Sequence, residues 1–261
     1  MRPPALTGRN AKVQRLRRLS ARRADRAREG LFVIEGPKLL DEAIAAGIPL
    51  EAMFIGADVT GGHPGAGATP VHVVEPKALR AALDTVSPQG VAAIAAQPQH
   101  RFDDVDVDGG PILVLAAIGD PGNAGTLVRS AEATGCAAVV FCDGSVDPFA
   151  PKSVRASAGS IFRVRVVVEG DGVTVLQRLG ERGVRRLGTA ARHGGAPEAI
   201  DLNGRLALVI GSEAHGLPAD YASVLDGDVC IPMTGGVESL NAGVAGSLVL
   251  FEAARQRRAR L

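Results

Sequence analysis

The sequence predicts an α/β protein of two domains, the second built on a mainly parallel sheet with helices on both faces. Three observations carry this reading. Short apolar runs alternate with helically spaced segments along most of the chain. In the second half those runs are continuously apolar, as strands covered on both faces must be. Between the halves lies QPQHRFDDVDVDGG at 97–110, a polar, acidic and turn-rich stretch of the kind that separates domains. The expected organisation is a basic arm with a small α/β domain over 1–98, a linker over 99–110 and a second domain over 111–261. With 261 residues and 46% hydrophobic content, both parts can bury a core.

Taken in order, Val13, Leu16, Leu19, Ala24 and Ala27 recur at roughly helical spacing, so 12–28 reads as one basic amphipathic helix. Strands follow at 31–34, 53–55, 71–74 and 91–95, with helices at 38–46 and 76–83; Gly47 stops the first of these. In the second domain, strands are expected at 112–117, 137–142, 164–168, 186–190 and 206–210, and a shorter one ends near Ile231. Helices are expected at 125–134, 173–182 and 240–258, with a helical turn near 153–160.

Composition excludes several function classes. Cys136, Cys142 and Cys230 show no metal-ligand or disulfide-framework spacing, and they read as small buried hydrophobes in a reduced compartment; no metal is expected. No apolar stretch approaches the ~18 residues of a membrane span and no signal sequence opens the chain, so a cytoplasmic protein without a membrane partner is expected. There is no Trp and one Tyr, which argues against an aromatic stacking platform for single strands. The formal charge of +1 hides an asymmetry: residues 1–28 hold ten Lys/Arg against Asp25 alone, a charge of +9 offset by −8 elsewhere. Such an arm is either a solvated helix face or a surface for a polyanion.

A parallel sheet binds ligands beyond the carboxyl ends of its strands, so the loops after Ala117, Ile210 and Ile231 are the places for a site. Neither GxGxxG nor GxxxxGK[ST] occurs there, which weighs against a dinucleotide fingerprint or a triphosphate P-loop. In the first loop, Asn123 stands near a helix start, either as its cap or as a ligand group, and Arg129 follows at a distance that suits a phosphate grip. The second loop, GSEAHG at 211–216, carries Glu213 at the sheet edge, while His215 reads as a solvated loop histidine. The third places Ser239 and Asn241 where the last helix begins, with Ser239 as a possible N-cap.

Three segments together are more specific than any one loop. NAGTLVRSAEATG at 123–135, LALVIGSEAHGL at 206–217 and IPMTGGVESLNAGVAGSLVLFE at 231–252 resemble the three motifs of the SpoU (TrmH) family of the SPOUT superfamily. DPFAPKSVRASAG at 147–159 is similar to the segment between the first two, and FVIEGPKLLDEAIAAG at 32–47 resembles the ribosomal-protein-like substrate domain often attached to such enzymes. Ala242 and Gly243 depart from the bulkier residues often found after the motif asparagine.

The resemblance implies an RNA ribose 2′-O-methyltransferase that uses S-adenosylmethionine. It further implies a deep trefoil knot, a homodimer with the last helix at its interface, and a cofactor held around Gly211, Ile231, Met233 and Leu240. Arg129 would then stand at the reacting hydroxyl, with Asn123, Glu213, Ser239 and Asn241 placing it, the phosphate and the cofactor. The basic arm, through Arg9, Lys12, Arg15 and Arg22, with Arg155 and Arg163 farther along, would engage RNA rather than DNA. Ribosomal RNA is the favoured substrate; transfer RNA, or RNA binding without catalysis, stand as alternatives.

Overall fold

A computed structural model describes residues 4–59, 67–83, 89–212, 215–236 and 238–260. The chain divides into two compact units. One takes the chain up to Pro98 together with Phe149–Phe162, and the other takes Gln99–Pro148 and Arg163–Leu261.

In the first unit the expected single basic helix is two, α1 (Ala11–Ala21) and α2 (Arg23–Glu29). Asn10 caps α1 by accepting from the Lys12 amide, and Arg22 breaks the helical path with extended backbone at φ −119°. The break is stabilised by Arg26, which is buried and donates from Nη1 to the carbonyls of Leu19 at 2.8 Å and Ser20 at 3.0 Å. Those carbonyls lie at the end of α1, where helical partners run out. Gly30, at φ 65°, closes α2.

Four strands follow, β1 (Leu31–Glu35), β2 (Leu50–Gly56), β3 (Val71–Val74) and β4 (Val91–Ala96), with α3 (Pro37–Ala45) and α4 (Pro76–Ala82) between them. Their order is β1-β4-β2-β3. β4 runs antiparallel to both β1 and β2, and β3 lies parallel to β2. Val13, Leu16 and Leu19 of α1 and Leu79 of α4 form a core with Val33, Phe54 and Ile94 on one face of the sheet.

From the opposite side of β1, Phe32 meets Phe149 and Phe162, with ring centroids 5.3 and 6.2 Å apart. These two rings bracket α6 (Pro151–Ala156) and a 3-10 turn, so a segment from far along the chain completes the first unit. Arg155 on α6 is ion-paired to Glu35, whose side chain is only 3% exposed. A carboxylate that deeply buried requires such a partner, so Arg155 has a structural task besides any contact with RNA.

The second unit has a six-stranded sheet in the order β10-β8-β9-β5-β6-β7. Its strands are β5 (Ile112–Leu115), β6 (Ala138–Phe141), β7 (Val166–Val168), β8 (Arg185–Ala190), β9 (Leu206–Ile210) and β10 (Gly227–Cys230). Every adjacent pair is parallel. α7 (Gly172–Glu181) brings Val175, Leu176 and Leu179 onto the face formed by Ile112, Val114, Val140 and Val209. The other face is covered by α5 (Pro121–Thr134) and α8 (Ala242–Arg258), which pack on β6 and β9 and on each other.

Residues 99–110 are more than a tether. Phe102 and Val105 are buried in the core of the second unit, Asp103 pairs with Arg178, and Asp108 receives both Nε and Nη2 of Arg205 at 2.8 and 2.9 Å. Among the described residues, no helix is long and apolar enough to cross a membrane.

Candidate active site

The strand order reverses between β5 and β9, since the chain moves from β5 to β6 and β7 on one side and later fills the other side. At such a switch point the loops after the two central strands diverge and leave a crevice. Here those loops lead into α5 and into the turn after Ile210.

α5 begins four residues earlier than its sequence suggests. Asp120 is its N-cap, accepting from the Asn123 amide at 2.9 Å, and Pro121 takes the first helical position, where a missing N–H costs nothing. Asn123 is therefore not the cap. It stands in the first turn of the helix, and Arg129 lies exposed farther along it.

α8 is capped by Asn241 rather than Ser239: its Oδ1 accepts from the Val244 amide at 3.2 Å. The Nδ2 of the same side chain donates to Asn123 Oδ1 at 2.9 Å, joining the first and third motif segments directly. The two helices are held close by small residues. A methyl group on Gly246 would stand 2.5 Å from Leu127 and 3.2 Å from Ile210, and the Ser130 and Ser247 hydroxyls meet at 2.7 Å.

Beside this junction lies a cavity of about 330 Å³. Gly211, Ile231, Met233 and Leu240, expected to hold a cofactor, all line it, as does Ser239. Gly211 has no room for a side chain, because a Cβ there would meet the carbonyl group of Gly216 at 2.4 Å. Ser212 and Gly216 exchange backbone hydrogen bonds of 3.0 and 2.8 Å, so the turn folds onto itself. Gly235 and Gly236, by contrast, have open space around them. Glu213 lies outside the described residues.

Several lining residues escaped the sequence reading. Thr189, Ala190 and Ala191 enter from the end of β8, and Ala242, Ala245 and Val249 from α8. The β8 contribution had a signal, since a strand parallel to β9 must deliver its carboxyl end to the same edge. His215 is exposed, as expected of a solvated loop histidine, and stands at the rim of the same cavity. A neighbouring cavity of about 510 Å³ shares His215 and Thr189 and adds His193, whose Nε2 lies 3.3 Å from Asp228.

The expected RNA-binding side chains differ in their surroundings. Arg9, Lys12 and Arg22 are exposed, as are Arg17 and Arg18. Arg15 is ion-paired with Glu29 at 2.7 Å and with Glu51, whose hydrogen bond holds the guanidinium pKa above its ordinary value. Arg163 pairs with Glu132. Burial pushes the Cys136 thiol up to about 11 and the Cys142 thiol up to about 12, so neither is a ready nucleophile.

Residues 110–251, more than half of the chain, match the SpoU rRNA Methylase family. The chain belongs to that family. Residues 10–93 match the MRM3-like substrate binding domain. Among SpoU relatives, the chain is 30% identical over 251 residues to the 23S rRNA (guanosine(2553)-2′-O)-methyltransferase RlmP of Bacillus subtilis, covering 94% of this chain and 96% of that protein. It is 29% identical to the 23S rRNA (uridine(2479)-2′-O)-methyltransferase of Streptomyces viridochromogenes, over 97% of this chain and 92% of that one. Solved structures agree. The SpoU methyltransferase AviRb from S. viridochromogenes, in complex with AdoMet, superposes with a TM-score of 0.84 at 28% identity, covering 96% of this chain and all 100% of that one. An AdoMet-bound rRNA methyltransferase from Sinorhizobium meliloti gives 0.85 at 26% identity, covering 99% and 98% of the two chains.

The cavity suits S-adenosylmethionine on its own chemistry. Ile210, Val229, Ile231, Met233, Leu240 and Val249 offer aliphatic walls for a purine and a thioether-like chain. Gly211, Ser212 and Gly216 add backbone polar groups at its edge.

Proposed function

We propose that this chain transfers a methyl group from S-adenosylmethionine to a ribose 2′-hydroxyl of 23S ribosomal RNA. The observation that carries the proposal is the hydrogen bond between Asn123 and Asn241 beside the cavity that Gly211, Ile231, Met233 and Leu240 line. It ties the side chains suited to RNA to the wall of a cofactor-sized cavity. Relatives named as 23S ribosomal RNA methyltransferases along nearly their whole length support the substrate.

When bound, S-adenosylmethionine supplies an electrophilic sulfonium methyl. The protein has then to place the 2′-oxygen in line with it and accept the hydroxyl proton. A guanidinium offers a rigid fork of N–H donors and no acceptor, so the part of Arg129 is to grip the phosphate beside the reacting ribose. Glu213 or solvent takes the proton. Ser239, on the cavity wall, holds the cofactor side of the junction, and Asn123 and Asn241 hold the RNA side. The exposed cations of α1 and Arg22 engage RNA phosphates, with Arg15 and Arg155 contributing at the margins of their ion pairs.

Two further features belong to the proposal. After β9 the chain forms β10 at the sheet edge and returns to the centre as α8 against α5, a path that supports a threaded trefoil knot. α8 leaves Val244, Leu248 and Phe251 at 47, 49 and 50% exposure in a line along one side, which supports a homodimer packed through that helix.

The test is to map 2′-O-methylation in 23S ribosomal RNA from cells with and without the protein, and to repeat methyl transfer in vitro with Arg129→Lys and Glu213→Gln across pH. One protein-dependent site is expected, with both variants impaired and Arg129→Lys impaired at every pH. Full activity in both variants would remove the assigned roles, and methylation of transfer RNA alone would move the substrate.

A further inference from the structure

The junction between α5 and α8 has a polarity that can be read from the backbone. The Val244 amide can only donate, so the Asn241 atom 3.2 Å from it is the carbonyl oxygen. The other end of that amide is then NH₂, a donor, so the Asn123 atom 2.9 Å from it is also an oxygen. The orientation of an asparagine amide is often ambiguous in outline, but here a helix cap settles both in sequence. Asn123 is left with its NH₂ group pointing away from the pair, with no hydrogen-bond partner among the described residues.

Gly243 permits this arrangement. A Cβ on it would stand 3.1 Å from Asn241 Oδ1, 3.2 Å from Asn123 Oδ1 and 3.4 Å from Asn123 Cα. Any side chain there would press on the two oxygens whose positions define the pair.

Building on the proposed 2′-O-methyltransferase site, we infer that Asn123 is fixed as a hydrogen-bond donor toward an acceptor oxygen of the RNA sugar-phosphate backbone, with Asn241 and Gly243 as the positioning residues that set its direction. Asn123 therefore does not accept the hydroxyl proton. The Asn241 amide contributes through Asn123 and through the helix cap, since both of its ends are engaged within the protein.

The experiment uses the full-length chain, tritiated S-adenosylmethionine and unmodified 23S ribosomal RNA transcript, with Asn123→Asp, Asn241→Asp and Gly243→Ala. Asn123→Asp keeps the oxygen that Asn241 needs but turns a carboxylate toward the RNA, and transfer at pH 8 should fall about 30-fold or more. Its activity relative to wild type should recover as pH drops toward the carboxylate range, because the protonated acid again presents a donor. Asn241→Asp keeps a good helix cap yet repels the Asn123 oxygen, so the Asn123 amide turns round and the same loss follows, with cofactor affinity and melting temperature retained. Gly243→Ala should cost less, about 3- to 10-fold, for a displacement of a few tenths of an ångström. A loss mainly in KM identifies a phosphate oxygen as the acceptor, and one mainly in kcat the 2′-oxygen.

Nitrogen-15 NMR of the side-chain amides in the free protein decides the orientation without any substrate. The Asn123 NH₂ should exchange freely in wild type, then shift and become protected in Asn241→Asp. Wild-type activity in Asn123→Asp at pH 8, or an Asn123 amide unmoved in Asn241→Asp, would overturn the inference. Absence of methyl transfer by wild type would overturn only the proposed substrate, and the amide measurement would still stand.

Discussion

Helices α1 and α8 lie near opposite ends of the chain and solve different problems with their outer faces. α1 buries Val13, Leu16 and Leu19 and turns Lys12, Arg17 and Arg18 to solvent. α8 buries small and aliphatic residues, including Gly246, Val249, Leu250 and Ala253, yet exposes Val244, Leu248 and Phe251. One helix has a single apolar side and the other has two. A charged outer face is content in water and attracts polyanions, whereas an apolar one gains from being covered: each such side chain is worth ~1.5–3 kcal/mol when fully buried. A helix laid on a sheet thus announces its partner by what it leaves outside.

The largest effect is expected at α8. In analytical ultracentrifugation the double variant Leu248→Asp, Phe251→Asp should sediment as a monomer where wild type sediments as the proposed dimer, with methyl transfer reduced about 100-fold if each site draws on both subunits. A dimer that persists would show that the stripe serves another purpose. Reversing the basic arm with Lys12→Glu, Arg18→Glu and Arg22→Glu should instead leave the sedimentation of wild type unchanged and weaken RNA binding. In filter-binding titrations the slope of log affinity against log salt should fall by about 3, roughly one for each phosphate contact removed. Cofactor affinity, measured by calorimetry, should be the same as in wild type.

The smallest effect concerns His72 on β3, which packs on Phe54 with ring centroids 5.4 Å apart. Burial, and then the charge of Lys12, hold its pKa below the ordinary histidine value. A base depressed by folding favours the native state fully above its unfolded pKa, and that contribution declines as pH falls through the ordinary value toward the lowered one. Lys12→Gln should therefore move the His72 titration upward in NMR and soften the acid-side loss of stability.

Much of the fold was legible. β3 and β9 occupy the ranges their apolar runs indicated, because Val71–Val74 and Leu206–Ile210 are short β-branched or aliphatic stretches bounded by turn residues. The start of α5 was misplaced because Pro121 and Gly122 look like a turn, whereas behind Asp120 they open a helix. The α1–α2 break was not legible at all: Arg22 carries no breaking propensity, and the interruption is held by the side chain of Arg26 several residues later.

The candidate site divides the same way. Asn123, Arg129, Ser239, Asn241 and the glycines stood out because polar and glycine-rich loops after parallel strands are where ligands bind. Nothing local showed that Asn123 and Asn241, 118 residues apart, would share a hydrogen bond, or that β8 would line the cavity. Likewise nothing local showed that Arg155 would be ion-paired to a buried Glu35.

The element types, the parallel character of the second sheet, the basic arm and the family motifs all follow from local periodicity and residue chemistry along the chain. Which segment covers β1, which amide faces which, and which arginines are already paired emerge only in the folded chain. Those depend on contacts between residues distant in the chain, where burial forces each polar group to find a partner that no local pattern names.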